Sequence, residues 1–363
     1  MSSVVGLRLA VTSASNFPAI MPALANANPP PPKPAGTPAT GPWDRRAPLW
    51  QGLALGLAAS AFFSVSFVLN RRMAAADGHW AWSAALRFLM MLPVLGMVIT
   101  LRGQWGRFWE MWRVSPLGWC LWGTLGCGVF YAALTAACAV SPAWVVAATW
   151  PVAIVIGILL GPLLYDDHRR RIPRRALFFS VMITAGVLML QAGEFSASDR
   201  TNVLGGLLLV LVSATAHPIG NRRSMLLLEK ARLPAEPILR LSLLILGSLP
   251  FWLLLCGWGF AAAGLPGQSQ LATVGVVAAT GLVATPLFYA ATDRVSRDSA
   301  SLAAVEATQG GEIVFTMILE AMLIGIRPPT GCGWLGLALI VGGLVLHARP
   351  RFKERGHLAR VGQ

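Results

Sequence analysis

Two long stretches of this chain, Val114–Tyr165 and Leu241–Thr292, contain no Asp, Glu, Lys or Arg. Each is long enough for two apolar spans of roughly 20 residues. A soluble domain carries about 25% charged residues, whereas here the charged fraction is 12%, the hydrophobic fraction 55% and the mean hydropathy +0.63. Such a chain cannot cover itself with a surface compatible with water. Lipid is the solvent that resolves the conflict.

Apolar runs of suitable length predict ten spans, at 49–69, 80–101, 117–139, 143–165, 176–193, 203–220, 237–259, 272–292, 301–324 and 331–348. The alternating ten-residue segments of a membrane β-barrel are absent, so the expected fold is an all-α membrane protein. The net charge of +14 does not point to nucleic acid. The basic residues sit in short clusters between apolar runs rather than on one continuous face. With ten spans, 23 Lys and Arg fall on the side of both termini and 4 on the other, and Arg87 and Arg240 lie inside spans. That asymmetry predicts both termini in the cytoplasm.

Residues 1–48, with Pro29–Pro34 at their centre, read as a disordered tail, and 349–363 as a basic cytoplasmic tail. The segment Arg8–Ala27 has the outline of a secretory signal ending in Ala25-Asn26-Ala27, but polar residues and Pro18 interrupt its apolar part. An uncleaved tail or an over-extended start site is the expectation. Cys120, Cys127, Cys138, Cys256 and Cys332 stand singly and read as apolar filler, with neither a metal site nor a disulfide framework.

The chain also resembles itself at an offset of 151–159 residues. Asn70-Arg71-Arg72 matches Asn221-Arg222-Arg223. Arg87 before Leu92-Pro93 matches Arg240 before Leu249-Pro250. Phe130-Tyr131-Ala132-Ala133 matches Phe288-Tyr289-Ala290-Ala291, and Ala148-Thr149-Trp150 matches Ala307-Thr308-Gln309. Two five-helix repeats follow, at 49–193 and 203–348. Five is odd, so the second copy enters the membrane from the opposite side, which is an inverted-repeat transporter design. Its substrate site is expected near the midplane, where the repeats meet.

Charged groups at that depth are costly and become functional candidates. The richest set is Glu306, Gln309, Glu312 and Glu320 in the ninth span. A midplane carboxylate can bind a cationic substrate, exchange a proton, or serve as a structural partner. Glu306 and Glu312 are the candidates for substrate or proton binding, with Gln309 beside them. Glu320 lies nearer the outer face and reads as structural. Arg87 and Arg240 either snorkel to the interface or neutralise a ninth-span glutamate. Asn70 and Asn221 close their helices as caps, hydrogen-bond between helices, or take part in gating. Trp150, Tyr131 and Tyr289 can stack on a hydrophobic cation. His217 serves either a proton relay or helix packing. Pro151 and Pro286 can break their helices, and Trp50, Trp80, Trp82, Trp105 and Trp119 read as interface anchors.

Four stretches, Ser64-Val65-Ser66-Phe67-Val68-Leu69-Asn70-Arg71, Trp82-Ser83-Ala84-Ala85-Leu86-Arg87-Phe88, Ala290-Ala291-Thr292-Asp293 and Ala304-Val305-Glu306-Ala307-Thr308-Gln309-Gly310-Gly311-Glu312, carry a resemblance to the drug/metabolite transporter superfamily. The chain is similar in particular to its ten-helix branch of multidrug resistance efflux transporters, over about residues 48–348. The resemblance implies an exporter of small molecules, drugs or toxic cations among them, in the cytoplasmic membrane. In four-helix members a first-helix glutamate binds both proton and drug. Spans one and six here contain no acid, so span nine must supply the carboxylate. Metabolites such as amino acids or purines, moved without proton coupling, are the alternative cargo. A membrane enzyme or lipid scramblase lacks support, because no clustered catalytic set or nucleotide-binding motif is present. The partners expected are the lipid bilayer, a small-molecule substrate and protons. No cofactor, metal or nucleic acid is expected, and a homo-oligomer is compatible with the pattern.

Overall fold

The structure is a computed structural model. It describes residues 46–348, apart from 167, 173, 198–199, 235, 297–298, 326–328 and 330. The signal-like segment, nearly all of the N-terminal tail and the tail at 349–363 therefore lie outside the described residues. Among those described, every regular element is helical.

The chain opens with α1 (Arg46–Ala75), already helical three residues before the expected span, and α2 (Trp80–Leu101). A short helix not foreseen from the sequence follows, α3 (Trp105–Val114). It buries Phe108 and Met111 and exposes Trp105 and Trp109, the pattern of a helix lying in the membrane interface. The next run is α4 (Pro116–Gly123), a wide π turn at Thr124–Val129, and α5 (Phe130–Val140). Ser115 caps α4, its hydroxyl accepting from the Gly118 amide at 3.2 Å.

The run at 143–165 is divided into α6 (Ala143–Thr149), α7 (Val152–Leu159) and α8 (Gly161–Leu164). Pro151 stands at the first break, where it has no amide hydrogen to offer the preceding turn. Then come α9 (Arg174–Ala197), α10 (Arg200–Lys230), α11 (Pro237–Gly247), α12 (Leu249–Ala263) and α13 (Gln268–Val295). α11 and α12 meet at a bend of 51°, with Pro250 in the first turn of α12. Pro286, by contrast, sits inside an unbroken α13. The ninth expected span is also divided, into α14 (Ser299–Glu306), a 3₁₀ turn at Ala307–Gln309 and α15 (Gly310–Leu323), before the final α16 (Gly331–Ala348).

Among the described residues, six helices are long and apolar enough to cross a membrane, and a seventh if α11 and α12 form one bent span. Ala143–Leu159 and Gly331–Leu346 are shorter apolar helices. Large apolar side chains such as Leu117, Leu163, Leu208 and Leu254 face outward, as they must where lipid is the solvent.

The main core gathers α1, α2, α5, α10, α11 and α13 around Phe67, Phe88, Tyr131, Trp252 and Phe288. A second cluster joins α6, α7, α9, α15 and α16. Two of the predicted interface tryptophans belong to the interior instead. Trp119 donates to the Met111 carbonyl at 2.8 Å and Trp82 to that of Gly264 at 2.9 Å, so each ties its helix to a neighbouring segment. Close helix contacts rest on small residues. Where α10 crosses the π turn, Gly126 and Gly220 face each other, and a Cβ on either would run into the backbone opposite.

Candidate functional site

The core holds a narrow, partly open cavity of about 50 Å³. Phe63, Ser66 and Phe67 of α1 line one part, with Arg87 and Phe88 of α2. Cys127 in the π turn, Phe130 and Tyr131 of α5, and His217 of α10 line another. The remainder comes from Phe288 and Tyr289 of α13 and from the two helix breaks, which supply Trp150 on one side and Gln309 with Glu312 on the other. Helix breaks bring polar backbone and side chains to a depth where a continuous helix would show only its apolar flank.

Seven residues singled out from the sequence meet here: Glu312, Gln309, Trp150, Tyr131, Tyr289, Arg87 and His217. The aromatic groups hold one another. Trp150 lies 5.3 Å from Phe130 and 5.5 Å from His217 between ring centroids, and His217 lies 4.6 Å from Phe130. Glu312 occupies the first turn of α15 and is 1% exposed. Among the described residues it makes no hydrogen bond or ion pair.

Glu306 is not part of this wall. It pairs with Arg222 at 3.4 Å, and Arg222 also donates to the Gly157 carbonyl. Glu306 and Glu312, both candidates for substrate or proton binding, are thus held apart: a turn of 3₁₀ helix at Ala307–Gln309 lies between them, and only Glu312 lines the cavity. Glu320 accepts from the Ala143 and Trp144 amides at 3.0 and 2.8 Å, which caps α6 and makes it structural.

Of the buried arginines Arg87, Arg222 and Arg240, two lie over a tyrosine ring, Arg87 at 4.1 Å from the centre of Tyr131 and Arg240 at 3.9 Å from that of Tyr289. Neither pairs with a ninth-span glutamate. Arg240, 0% exposed, takes Asp293 at 3.0 Å, so it does not snorkel. Neither Asn70 nor Asn221 closes a helix, because α1 and α10 continue to Ala75 and Lys230. Backbone hydrogen bonding carries a helix past the end of its apolar run. Asn70 donates to the Tyr131 hydroxyl at 2.9 Å, fixing the ring on which Arg87 rests. Among the described residues, the Asn221 side-chain oxygen has no hydrogen-bond partner. Asn70→Ala is expected to lower stability by about 1 kcal/mol, seen as a lower melting temperature in detergent. An unchanged melting temperature would mean that packing alone holds Tyr131.

Arg222 and Asp293 were missed as site-forming residues. Arg222 reads as one of a cytoplasmic basic pair, and Asp293 as the charge that ends an apolar run. The repeat offered one usable signal, since Asp293 stands four residues after the matched Tyr289.

Comparison with known proteins agrees with this architecture. A Bacillus subtilis (strain 168) protein described as "Uncharacterized protein YjlA" is 36% identical over 324 residues, covering 85% of this chain and 99% of that one. A Shouchella clausii protein, "Uncharacterized 42.1 kDa protein in intracellular alkaline protease 3'region", is 35% identical over 307 residues, covering 80% of each. One solved crystal structure aligns with a TM-score of 0.54 at 18% identity, over 85% of this chain and 98% of that chain. That likeness bears on the fold alone. The family described as "EmrE: Putative multidrug resistance efflux transporter" matches residues 50–353. A multi-pass helical protein with an aromatic-lined cavity in its core, matched to that pattern over nearly all its described length, belongs to this family of membrane transporters within the drug/metabolite transporter superfamily.

Proposed function

We propose that the chain is a secondary transporter that exports small organic solutes across the cytoplasmic membrane by alternating access, with Glu312 as its coupling carboxylate. The observation that carries this reading is the aromatic-lined cavity with one buried acid, unpartnered among the described residues, on its wall. A carboxylate in that position can bind a proton or a cationic group in turn, so loading one displaces the other.

Ten spans in two inverted five-helix repeats, at 49–193 and 203–348, complete the proposal, with both termini cytoplasmic. Three features support the duplication. The helix breaks fall at matched positions, around Trp150 and around Gln309. The arginine–tyrosine stacks fall on matched residues. The packing is reciprocal: α1 lies on α13 as α5 lies on α10, and α1 on α15 as α7 on α10, while α9 packs on α16. Exchange of the two repeats' conformations would open the cavity to one side and then the other.

Cells expressing the chain are expected to accumulate less of at least one compound from a panel of toxic cations and metabolite analogues. Equal accumulation of every compound, with the protein present in the membrane, would overturn the transport reading. A reporter fused to the C terminus is expected to be active in the cytoplasm, and activity outside would overturn the topology.

A further inference from the structure

Helix α3 is pinned on one side and bare on the other. Phe108 and Met111 are buried in the main core, and the Met111 carbonyl accepts from the Trp119 indole. Glu236, the residue before α11, pairs with Arg107 at 2.5 Å and accepts from Gln104 at 2.9 Å. These contacts fix the helix against the body of the protein.

The outward face carries Trp105, Gly106, Trp109, Glu110 and Arg113, all exposed. Trp105 donates its indole N–H to the Thr100 hydroxyl at 3.0 Å and stacks on Trp109 at 6.4 Å between ring centroids. Among the described residues, the Trp109 indole N–H and the Arg113 guanidinium make no hydrogen bond or ion pair. The two residues stand four apart, so their Cβ atoms lie about 5–6 Å from each other on one helix face. Two free donors at that spacing, one of them charged, can reach the same phosphate group. Arg102, exposed where α2 ends, also has no acid partner among the described residues. Glu110 offsets one of these two arginines, and the other is left as a surplus positive charge. Beyond Arg113, α4 presents Leu117 and Leu121, 84% and 52% exposed and one turn apart. They make an apolar track that begins four residues after the charged donor.

We propose that Trp109 and Arg113 hold the phosphodiester of an anionic phospholipid whose acyl chains run along Leu117 and Leu121, with Arg102 adding attraction from the other end of α3. The donors match the phosphate and the leucines match the tails. The surplus positive charge selects an anionic headgroup over a zwitterionic one. In the proposed topology α3 faces the cytoplasmic leaflet, whose surface is negative.

The test uses the full chain in neutral detergent micelles holding equal amounts of phosphatidylglycerol and phosphatidylethanolamine with identical acyl chains, and native mass spectrometry counts the lipids retained. Phosphatidylglycerol is expected to be retained about fivefold over phosphatidylethanolamine, the effect of one charge beside a surface arginine. Arg102→Gln with Arg113→Gln is expected to bring that ratio close to one. Both side chains are exposed and unpaired, so this variant is expected to melt as the parent protein does. Arg170→Gln with Arg171→Gln removes the same charge from another exposed pair and is expected to leave the ratio unchanged. Three results would overturn the proposal: phosphatidylethanolamine retained as strongly as phosphatidylglycerol, a parental ratio in the Arg102→Gln, Arg113→Gln variant, or an equal fall in the Arg170→Gln, Arg171→Gln control. None of them bears on transport, which the accumulation assay reads separately.

Discussion

Glu312→Gln is expected to reduce export by about 10- to 100-fold while the protein still reaches the membrane. The amide keeps the shape of the acid and removes only its ability to carry charge. A charge-assisted contact in such a place contributes about 1.5–3 kcal/mol, which corresponds to that range. The prediction depends on Glu312 having no structural partner. Glu320, bonded to two backbone amides, and Glu306, bonded to Arg222, have them. An unpartnered ionised acid opposes folding, so the variant is expected to melt no lower than the parent protein. Flux in inverted vesicles and a melting curve from the same preparation would separate the two effects. Parental flux would remove Glu312 from the mechanism.

Asp293→Ala is expected to have the largest effect on stability. It leaves the Arg240 guanidinium buried, with Nε and one terminal nitrogen already lacking partners. Removing one member of a buried pair costs about 3–5 kcal/mol, a large part of the roughly 5–15 kcal/mol that holds a typical domain. Arg87, by contrast, lines the cavity. Arg240 is sealed. The double variant Arg240→Met with Asp293→Leu is expected to recover most of the folded protein, because apolar replacement of both partners removes the uncompensated charge. Size-exclusion profiles and melting temperatures would show it. An Asp293→Ala protein as stable as the parent would mean that the pair contributes little.

Much of the site was readable because hydropathy and repetition report different things. The charge-free blocks located the membrane-buried chain, and the matched motifs led to Arg87, Arg240, Tyr131, Tyr289, Trp150 and Gln309. What hydropathy cannot report is where a helix ends. Asn70 and Asn221 sit at the ends of apolar runs, yet both helices continue past them, because main-chain hydrogen bonds are indifferent to side-chain polarity. Nor can a one-dimensional pattern pair charges. Arg222 and Asp293 look like loop residues until α10 and α13 are folded against their neighbours, and only then does Glu306 leave the cavity. The π turn was hidden because it is a local departure inside a run whose average remains apolar, and α3 because it lies in a charged stretch between two expected spans, where no apolar run marks a helix.

The contact between Gly126 and Gly220 bears on how such a molecule can move. Interlocked side chains act as teeth, and two helices joined that way must disengage before either can travel. Here two bare backbones meet beside the cavity wall, with no teeth to lift. The seam is a smooth bearing, and the displacement it permits is a glide of one helix along the other. Travel there would be felt by Cys127, next to Gly126, and by His217, three residues before Gly220, both of which line the cavity.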